Sequence, residues 1–391
     1  MRHIKRRTAV VAVVGGLLVS GLAGTVLANG PTDNWPYNGP TAHQAAPDPV
    51  LAAVGDIACE PTSDENSTTP AALKCGSPTL GGMAAEYATA DQVENMHPDL
   101  VALLGDEQYE VGKLTDFMAS FDKTFGAFKF LQRPAPGNHE FYPYAKHGDN
   151  EAGQNGAGYY SYYNGQDATG TIRPEGQAGD SDKGWYSYNL GRWHIISLNI
   201  ECNSPAFGNS CDPTTGLLGQ ETQWLANDLS ANRNECTLAY WHQPTFSATG
   251  ATGTGANTGF ASDEGAAADA WWKLLYQNGA DVILNGHEHV YARFQPQNPA
   301  GQVDLKHGLT QFTVGTGGED LDTLAPAATL LSQHVVTSQA SAFGVLKLTL
   351  GKAGYSWNYS PVLAGPNQPS TALDYSDSGT AKCHGPAKAT S

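Results

Sequence analysis

Short runs of Val, Leu and Ala, each ended by a polar stretch that carries glycine, recur along this chain. Val50–Val54 and Leu100–Leu104 are continuous apolar runs of strand length, and they predict strands buried on both faces. Between them, Met83, Tyr87, Ala90 and His97 fall near helical spacing. A second helix is predicted over Leu114–Phe125, where Leu114, Phe117, Met118, Phe121 and Phe125 supply the apolar positions. Trp185–Leu190 and Trp193–Leu198 read as strands, and Gly219–Leu229, with Trp224, Leu225 and Leu229, reads as a helix. Cys236–Trp241 and Val282–Leu284 predict strands around a helix near Glu264–Tyr276. Phe312–Val314, Val345–Leu350 and Tyr355–Tyr359 predict closing strands. Strand and helix alternate early and strands dominate late, which is the order of an α/β layered fold. Two stretches predict long loops: 141–184, rich in Tyr and Gly, and 244–263, rich in Gly, Ala, Ser and Thr. Loops of that length in a compact domain are often functional.

The chain ends modify this picture. Arg2, Lys5, Arg6 and Arg7 precede an apolar run from Val10 to Val19, and Val26-Leu27-Ala28 ends in a small residue. That is the form of a secretory signal cleaved near Ala28. Glycines interrupt the apolar run, which serves a membrane span poorly, so a secreted protein without stable membrane association is expected. Residues 29–47 are polar and rich in Pro, Gly and Asn, and predict a linker. Residues 48–361 predict one domain, and 362–391 a polar tail with little order except near Cys383. Loss of residues 1–28 removes four basic groups and no acidic one, taking the net charge from −17 to −21. Such a surface repels nucleic acid and anionic membranes at long range, so no nucleic-acid-binding surface is expected. A phosphate substrate stays compatible, because bound cations dominate the local field. Six cysteines in an exported chain suggest disulfides. Short loops favour Cys59–Cys75 and Cys202–Cys211, leaving Cys236–Cys383 to tie down the tail. A CxxC motif is absent, so a redox or zinc-ribbon reading has no support.

Five polar motifs follow apolar runs: Gly55-Asp56-Ile57-Ala58, Gly105-Asp106-Glu107-Gln108-Tyr109, Gly137-Asn138-His139-Glu140, Trp241-His242 and Gly286-His287-Glu288-His289. In α/β sheets the crevice beyond the strand carboxyl ends is the usual site. Taken singly, most of these residues have bland readings. Asp56 and Asp106 suit helix caps or turns, Asn138 a turn, His242 a core histidine and Tyr109 a core aromatic. His287 and His289, flanking Glu288, are hard to bury without a ligand. Taken together, carboxylates, a phenol and imidazoles suit Fe, Mn or Zn. There are too many candidates for one tetrahedral ion, and a carboxylate can bridge two. Two metals roughly 3.5–4 Å apart can hold the attacking and leaving oxygens of a displacement at phosphorus.

The order and wording of these motifs resemble the calcineurin-like metallophosphoesterase superfamily and, within it, purple acid phosphatases. That family's pattern runs GDxG, GDxxY, GNH(D/E), VxxH and GHxH. The match is scattered from Asp56 to His289, and Trp185-Tyr186-Ser187, His194-Ile195-Ile196 and Tyr291-Ala292-Arg293 resemble the family's intervening and following segments. The resemblance implies a four-layer αββα sandwich of two facing mixed β-sheets flanked by helices. It implies two metal ions. Asp56, Tyr109 and His289 would bind the first, Asp106 would bridge, and Asn138, His242 and His287 would complete the second. A tyrosinate at 109 favours iron, as Fe(III), while Zn, Mn or Fe suits the second position. The implied reaction is hydrolysis of a small phosphorylated substrate, a phosphate monoester, by attack of a metal-bound hydroxide.

Ala58 and Ala239 depart slightly from the family pattern, standing where Gly and Val are usual. Ala58 also occupies the place of a ligand His in other branches of the superfamily, and Tyr109 offers the replacement. Residues 243–286 contain no His, where plant-type members place a substrate-contacting one. His139 is the remaining catalytic candidate, as proton donor to the leaving group, with Glu140 as its orienter. A phosphodiesterase or nucleotide hydrolase on the same scaffold is the competing reading, followed by a non-catalytic extracellular binding protein. Other features read as structural. His194 sits inside an apolar strand, and the tyrosines at 159, 160, 162 and 163 read as loop packing. Gly315-Thr316-Gly317-Gly318 lacks the Lys and helix of a P-loop. Asn66-Ser67-Thr68 fits a glycosylation sequon.

Overall fold

The apolar runs at Val50–Val54 and Leu100–Leu104 form strands over those ranges in a computed structural model of the chain. It describes residues 47–59, 61, 81–142, 155–232, 234–250, 264–363 and 373–385. The expected signal peptide, residues 29–46 of the expected linker, Cys75 and the sequon at Asn66 lie outside the described residues.

Strand β1 is Val50–Val54, β2 is Leu100–Leu104 and β3 is Gln132–Ala135. A short hairpin follows, β4 at Glu175–Gly176 and β5 at Gly179–Asp180. Next come β6 at Tyr186–Leu190, β7 at Trp193–Ser197, β8 at Cys236–Tyr240 and β9 at Val282–Asn285. Then follow β10 at Tyr291–Phe294, β11 at Thr310–Val314 and β12 at Val335–Gln339. The last three are β13 at Phe343–Gly351, β14 at Gly354–Val362 and β15 at Asp377–Lys382. One six-stranded sheet has the order β15-β14-β13-β1-β2-β3, and a seven-stranded sheet has β12-β10-β11-β9-β8-β7-β6. Both are mixed. β1, β2 and β3 are parallel, as are β7, β8, β9 and β11, while the remaining pairings in these sheets are antiparallel.

Alternation along each strand builds the layers, because successive side chains face opposite ways. Leu51 and Ala53 of β1 share a core with Leu238, Leu284 and Phe312 of the other sheet. Ala52 and Val54 face outward, onto Val93 of the helix Gly81–Met96 and onto Phe117 and Phe121. On the far side, Ile196, Ala239 and Ile283 pack against Leu225 of helix Gly216–Ala231 and Trp271 of helix Glu264–Gln277. The result is the expected αββα sandwich of two facing mixed sheets. The disulfides Cys202–Cys211 and Cys236–Cys383 are both formed. No helix among the described residues is long and apolar enough to cross a membrane.

Three local features differ from the sequence reading. Leu114–Phe125 is not one helix but breaks at Ser120 into Leu114–Ala119 and Phe121–Thr124, with a 3-10 segment Phe125–Leu131 after it. The apolar residues survive the break because their rings pack together, Phe117 on Phe121 at 5.6 Å and Phe121 on Phe125 at 5.4 Å. Within the expected loop 141–184, Ala157–Asn164 is a helix bounded by Gly156 (φ 78°) and Gly165 (φ 76°). Its tyrosines are packing residues, as read, but the two adjacent tyrosine pairs, 159–160 and 162–163, hid the helical period. Strand β3 has no apolar run, and it lies at a sheet edge, where the missing N–H of Pro134 is tolerated. Within 362–391, the part next to Cys383 forms the edge strand β15 against β14.

That last strand carries a clamp between the sheets. Asp377 of β15 accepts from Arg293 Nε at 2.7 Å and Nη2 at 2.9 Å, and from Tyr291 Oη at 2.7 Å, both on β10. Burial opposes the Asp377 charge, but the hydrogen bonds from Arg293 and Tyr291 hold its pKa below the usual carboxylate range. A depressed folded pKa contributes stability above the unfolded value, near 3.9, and loses it as pH falls through the folded value. Asp377→Ala should therefore lower stability by about 2–4 kcal/mol at neutral pH. The measurement is the thermal unfolding midpoint of variant against parent. The gap should narrow as pH falls below about 4, where the unfolded carboxylate takes up a proton first and the folded one only at lower pH.

Candidate metal centre

The five motif loops leave the carboxyl ends of β1, β2, β3, β8 and β9, and strand direction within each sheet brings these ends to one edge. Three of the loops start alike. β1, β2 and β9 each run into a glycine, Gly55, Gly105 or Gly286, and then into a residue with positive φ: Asp56 at 59°, Asp106 at 49° and His287 at 67°. Side chains other than glycine rarely adopt this region, and holding one there costs roughly 1–3 kcal/mol. Glycine would remove the strain and also the donor atom, so the strain is stored where the donor is needed. The preceding glycines are set by close approach. A Cβ on Gly105 would stand 2.5 Å from His242 Nδ1, and one on Gly286 would stand 2.6 Å from Asp56 Oδ2.

Tyr109 Oη lies 3.0 Å from Asp56 Oδ1, 3.0 Å from His289 Nε2 and 3.1 Å from Asp106 Oδ2. On the other side, His242 Nε2 lies 2.9 Å from the same Asp106 Oδ2, 3.1 Å from Asn138 Oδ1 and 3.2 Å from His287 Nδ1. The structure thus brings together all seven residues read as ligands, in two groups that meet at one carboxylate oxygen. Asp106, His242 and His287 have donor atoms within 4.8 Å of one another, a spacing that can hold a metal ion.

The outer hydrogen bonds fit a cation. His242 Nδ1 donates to the Leu104 carbonyl at 2.8 Å, and His289 Nδ1 donates to the Asp320 carbonyl at 2.6 Å. Each leaves its Nε2 as a lone pair turned inward, which is how metal-binding imidazoles are oriented. His242 Nε2 and His287 Nδ1 then face each other across 3.2 Å, an arrangement that a positive charge between them relieves. The local field is consistent. Burial disfavours a charged His242, but the Asp106 carboxylate overrides this and raises its pKa to about 10. His289 is likewise raised to about 10, burial being outweighed by Asp56. Burial pushes the Tyr109 phenol well up, and Asp106 and Asp56 push it further, so its ionisation requires a cation beside it. The donor set fits a metal on each side of Asp106.

His139 borders the cluster. Its backbone N–H donates to Asp106 Oδ1 at 2.8 Å, and its ring Nε2 stands 4.0 Å from Asp106 Oδ2. The ring packs on Tyr109 at 4.2 Å and Tyr142 at 4.7 Å, and Nδ1 donates to the Glu110 carbonyl at 2.7 Å. The His139 orienter is therefore Glu110, through its backbone, and not Glu140 as expected. Glu140 is buried and accepts from the backbone N–H groups of Gly137 at 2.8 Å, Asp106 at 3.0 Å and Gln108 at 3.1 Å. It joins two ligand loops and binds no side chain of the cluster in these contacts. Burial raises its pKa to about 8, with the Asp106 charge adding to the effect.

Glu288 is a second functional acid that the motif reading left without a role. It lies between the two histidines yet faces away from them, accepting from Ala248 N at 2.8 Å, Thr249 Oγ1 at 2.8 Å and the Ser247 hydroxyl. It thereby pins the loop after His242 to the last motif. Gly315-Thr316-Gly317-Gly318 is a packing seam: a Cβ on Gly317 would stand 2.5 Å from the Gly55 carbonyl, and one on Gly315 would clash with the Glu288 carbonyl. His194 is structural, held by Asp228 Oδ2 at 2.5 Å and Asn189 Oδ1 at 3.2 Å.

Residues 50–291 match the family model described as calcineurin-like phosphoesterase. Purple acid phosphatase 15 of Arabidopsis thaliana is 26% identical over 270 residues, which are 61% of this chain and 44% of that protein. The chain thus spans less than half the length of that relative. The solved purple acid phosphatase PPD1 from yellow lupin seeds aligns over 85% of this chain and 53% of its own, with a TM-score of 0.55 at 18% identity. The solved structure of PhoD aligns over 88% of this chain and 72% of its own, with a TM-score of 0.54 at 14% identity. At such identities the structural likenesses speak for the fold alone. The family match covers more than half of the chain and runs through all five motif loops, from Asp56 to His289, and the chain therefore belongs to the calcineurin-like phosphoesterase family.

Proposed function

We propose that the protein is a secreted phosphoester hydrolase that uses two metal ions and acts on small phosphate monoesters. The observation that carries this reading is the position of Asp106 Oδ2, which stands 3.1 Å from Tyr109 Oη and 2.9 Å from His242 Nε2. A single oxygen serving two donor groups is what a bridging ligand requires. Asp56, Tyr109 and His289 are assigned to an iron site, and Asn138, His242 and His287 to a site for zinc, manganese or iron. When bound, such a pair supplies positive charge for the phosphate oxygens and lowers the pKa of a coordinated water.

The chain's own residues do the rest. Glu140 and Glu288 hold the ligand loops in register. His139, fixed by Glu110 and by the Tyr109 and Tyr142 rings, keeps Nε2 beside the bridging carboxylate and delivers a proton to the leaving oxygen. The purple acid phosphatase named among the relatives supports the monoester reading. The basic and apolar segments before Ala28 support export, with 29–47 as linker, 48–361 as the catalytic domain and 362–391 as a tail that adds a strand.

Three outcomes are expected. Asn138→Ala and His287→Ala should each reduce bound metal and lower kcat by ~10²-fold or more, read by elemental analysis and steady-state kinetics. Full metal content with full activity in either variant would remove the second site. Tyr109→Phe should abolish a broad visible absorption band of the iron-loaded protein. His139→Ala should lower kcat by ~10²–10⁴-fold with metal content unchanged, since its backbone bond to Asp106 remains. A faster rate on a diester than on a monoester would favour the phosphodiesterase reading.

A further inference from the structure

Away from the metal ligands, helix Gly216–Ala231 has two useful faces. Leu218, Glu221, Leu225 and Leu229 are buried and form the stripe that packs onto the seven-stranded sheet. Gln220, Gln223, Trp224 and Asn227, at spacings of three and four, form a second stripe on the outer side. Two cavities open along this stripe. One, of about 510 Å³, is lined by residues including Gln220, Trp224, Ser187, Glu175 and the Asp180–Lys183 pair, and the other, of about 410 Å³, by residues including Gln220, Gln223, Trp224 and Asn227. Gln220 and Trp224 line both, so the two cavities adjoin at the indole, as a shallow groove along the helix.

The lining chemistry is selective. Trp224 is partly buried against the core and offers its remaining surface to the groove. Gln223 Nε2 donates to Asn227 Oδ1 at 3.1 Å, which leaves Gln223 Oε1 as an acceptor beside the Asn227 amide donors. An acceptor beside a donor matches a pair of neighbouring hydroxyls. Lys183 and Asp180 are paired at 2.5 Å and neutralise each other. In a chain of net charge −17, a groove walled by amides, hydroxyls, an indole and the Glu175 carboxylate disfavours an anion, and each of these groups can accept from or donate to a hydroxyl or stack on a ring. A sugar ring has the complementary surface, with apolar C–H faces to lie on indole and rim hydroxyls for amides. The geometry points to a carbohydrate-binding groove on the outer face of this helix, whose ligand is a neutral polysaccharide chain crossing Trp224.

The test is native electrophoresis of the whole protein through gels containing a neutral soluble polysaccharide: a β-glucan, a xylan or an α-glucan. At least one should retard the protein, and added salt should not release it. Trp224→Ala should weaken retardation by ~10-fold or more. Because Trp224 also touches the core, the double variant Gln223→Ala/Asn227→Ala, at two exposed positions, provides an independent arm and should weaken it too. Retardation by none of the three, or equal retardation of parent and both variants, overturns the proposal, as does binding that salt abolishes. The readout is migration, so it stands or falls separately from the phosphatase reading.

Discussion

The hydrogen bond from His242 Nδ1 to the Leu104 carbonyl, 2.8 Å long, joins the carboxyl end of a strand in one sheet to that of a strand in the other. Everything at the metal centre depends on this meeting. It places the His242 Nε2 lone pair against Asp106, which follows Leu104 by two residues. It also explains why Gly105 has no side chain, since a Cβ there would overlap the imidazole. A second seam does the same for the neighbouring strands, with Gly55 N donating to the Val314 carbonyl and Gly317 N to the Gly55 carbonyl. Two sheets that splayed at this edge would still share a core, but the two ligand groups would separate.

Around that junction the acids divide into two kinds of work. Asp56 and Asp106 aim oxygens into the cleft. Glu140 and Glu288 turn away and gather backbone N–H groups, so that the loops that carry the inner ligands hold one shape. Burying four carboxylates so close together is unfavourable unless each is hydrogen-bonded or neutralised. The outward pair meets the first condition. The inward pair, with two histidines driven to about 10 by its field, is arranged for the second. The same field that draws protons to these imidazoles draws cations to the cleft.

The family match supplies the scaffold on which these features sit. The chain spans 44% of the Arabidopsis thaliana relative's length. Its outer helix Gly216–Ala231 combines the buried stripe that any layer helix needs with an outer stripe of exposed amides around the half-buried Trp224 indole. Substrate chemistry and attachment chemistry can thus sit on one domain, the first on loops at the sheet edge and the second on a helix face. Residues on a rigid helix hold a binding surface with less ordering cost than a loop does.

Much of the fold was legible because burial leaves a pattern. Buried parallel strands need continuous apolar runs, so Val50–Val54 and Leu100–Leu104 could be read to the residue, and the ligand motifs could be read because each follows such a run. Elements whose identity comes from neighbours were not legible. β3 has no apolar run and exists because β2 offers it an edge. Ala157–Asn164 is helical because Phe117 and its neighbours give its tyrosines a surface to pack on. β15 is polar and is held by pairing with β14 and by Arg293. The residue types at the site were a property of the sequence alone. Which oxygen is shared, which imidazole nitrogen faces inward, and that Glu140 and Glu288 face away were decided by the tertiary structure. The reason is physical: residue type sets what an atom can bind, while backbone direction and sheet registry, which depend on contacts far apart in the chain, set what it meets.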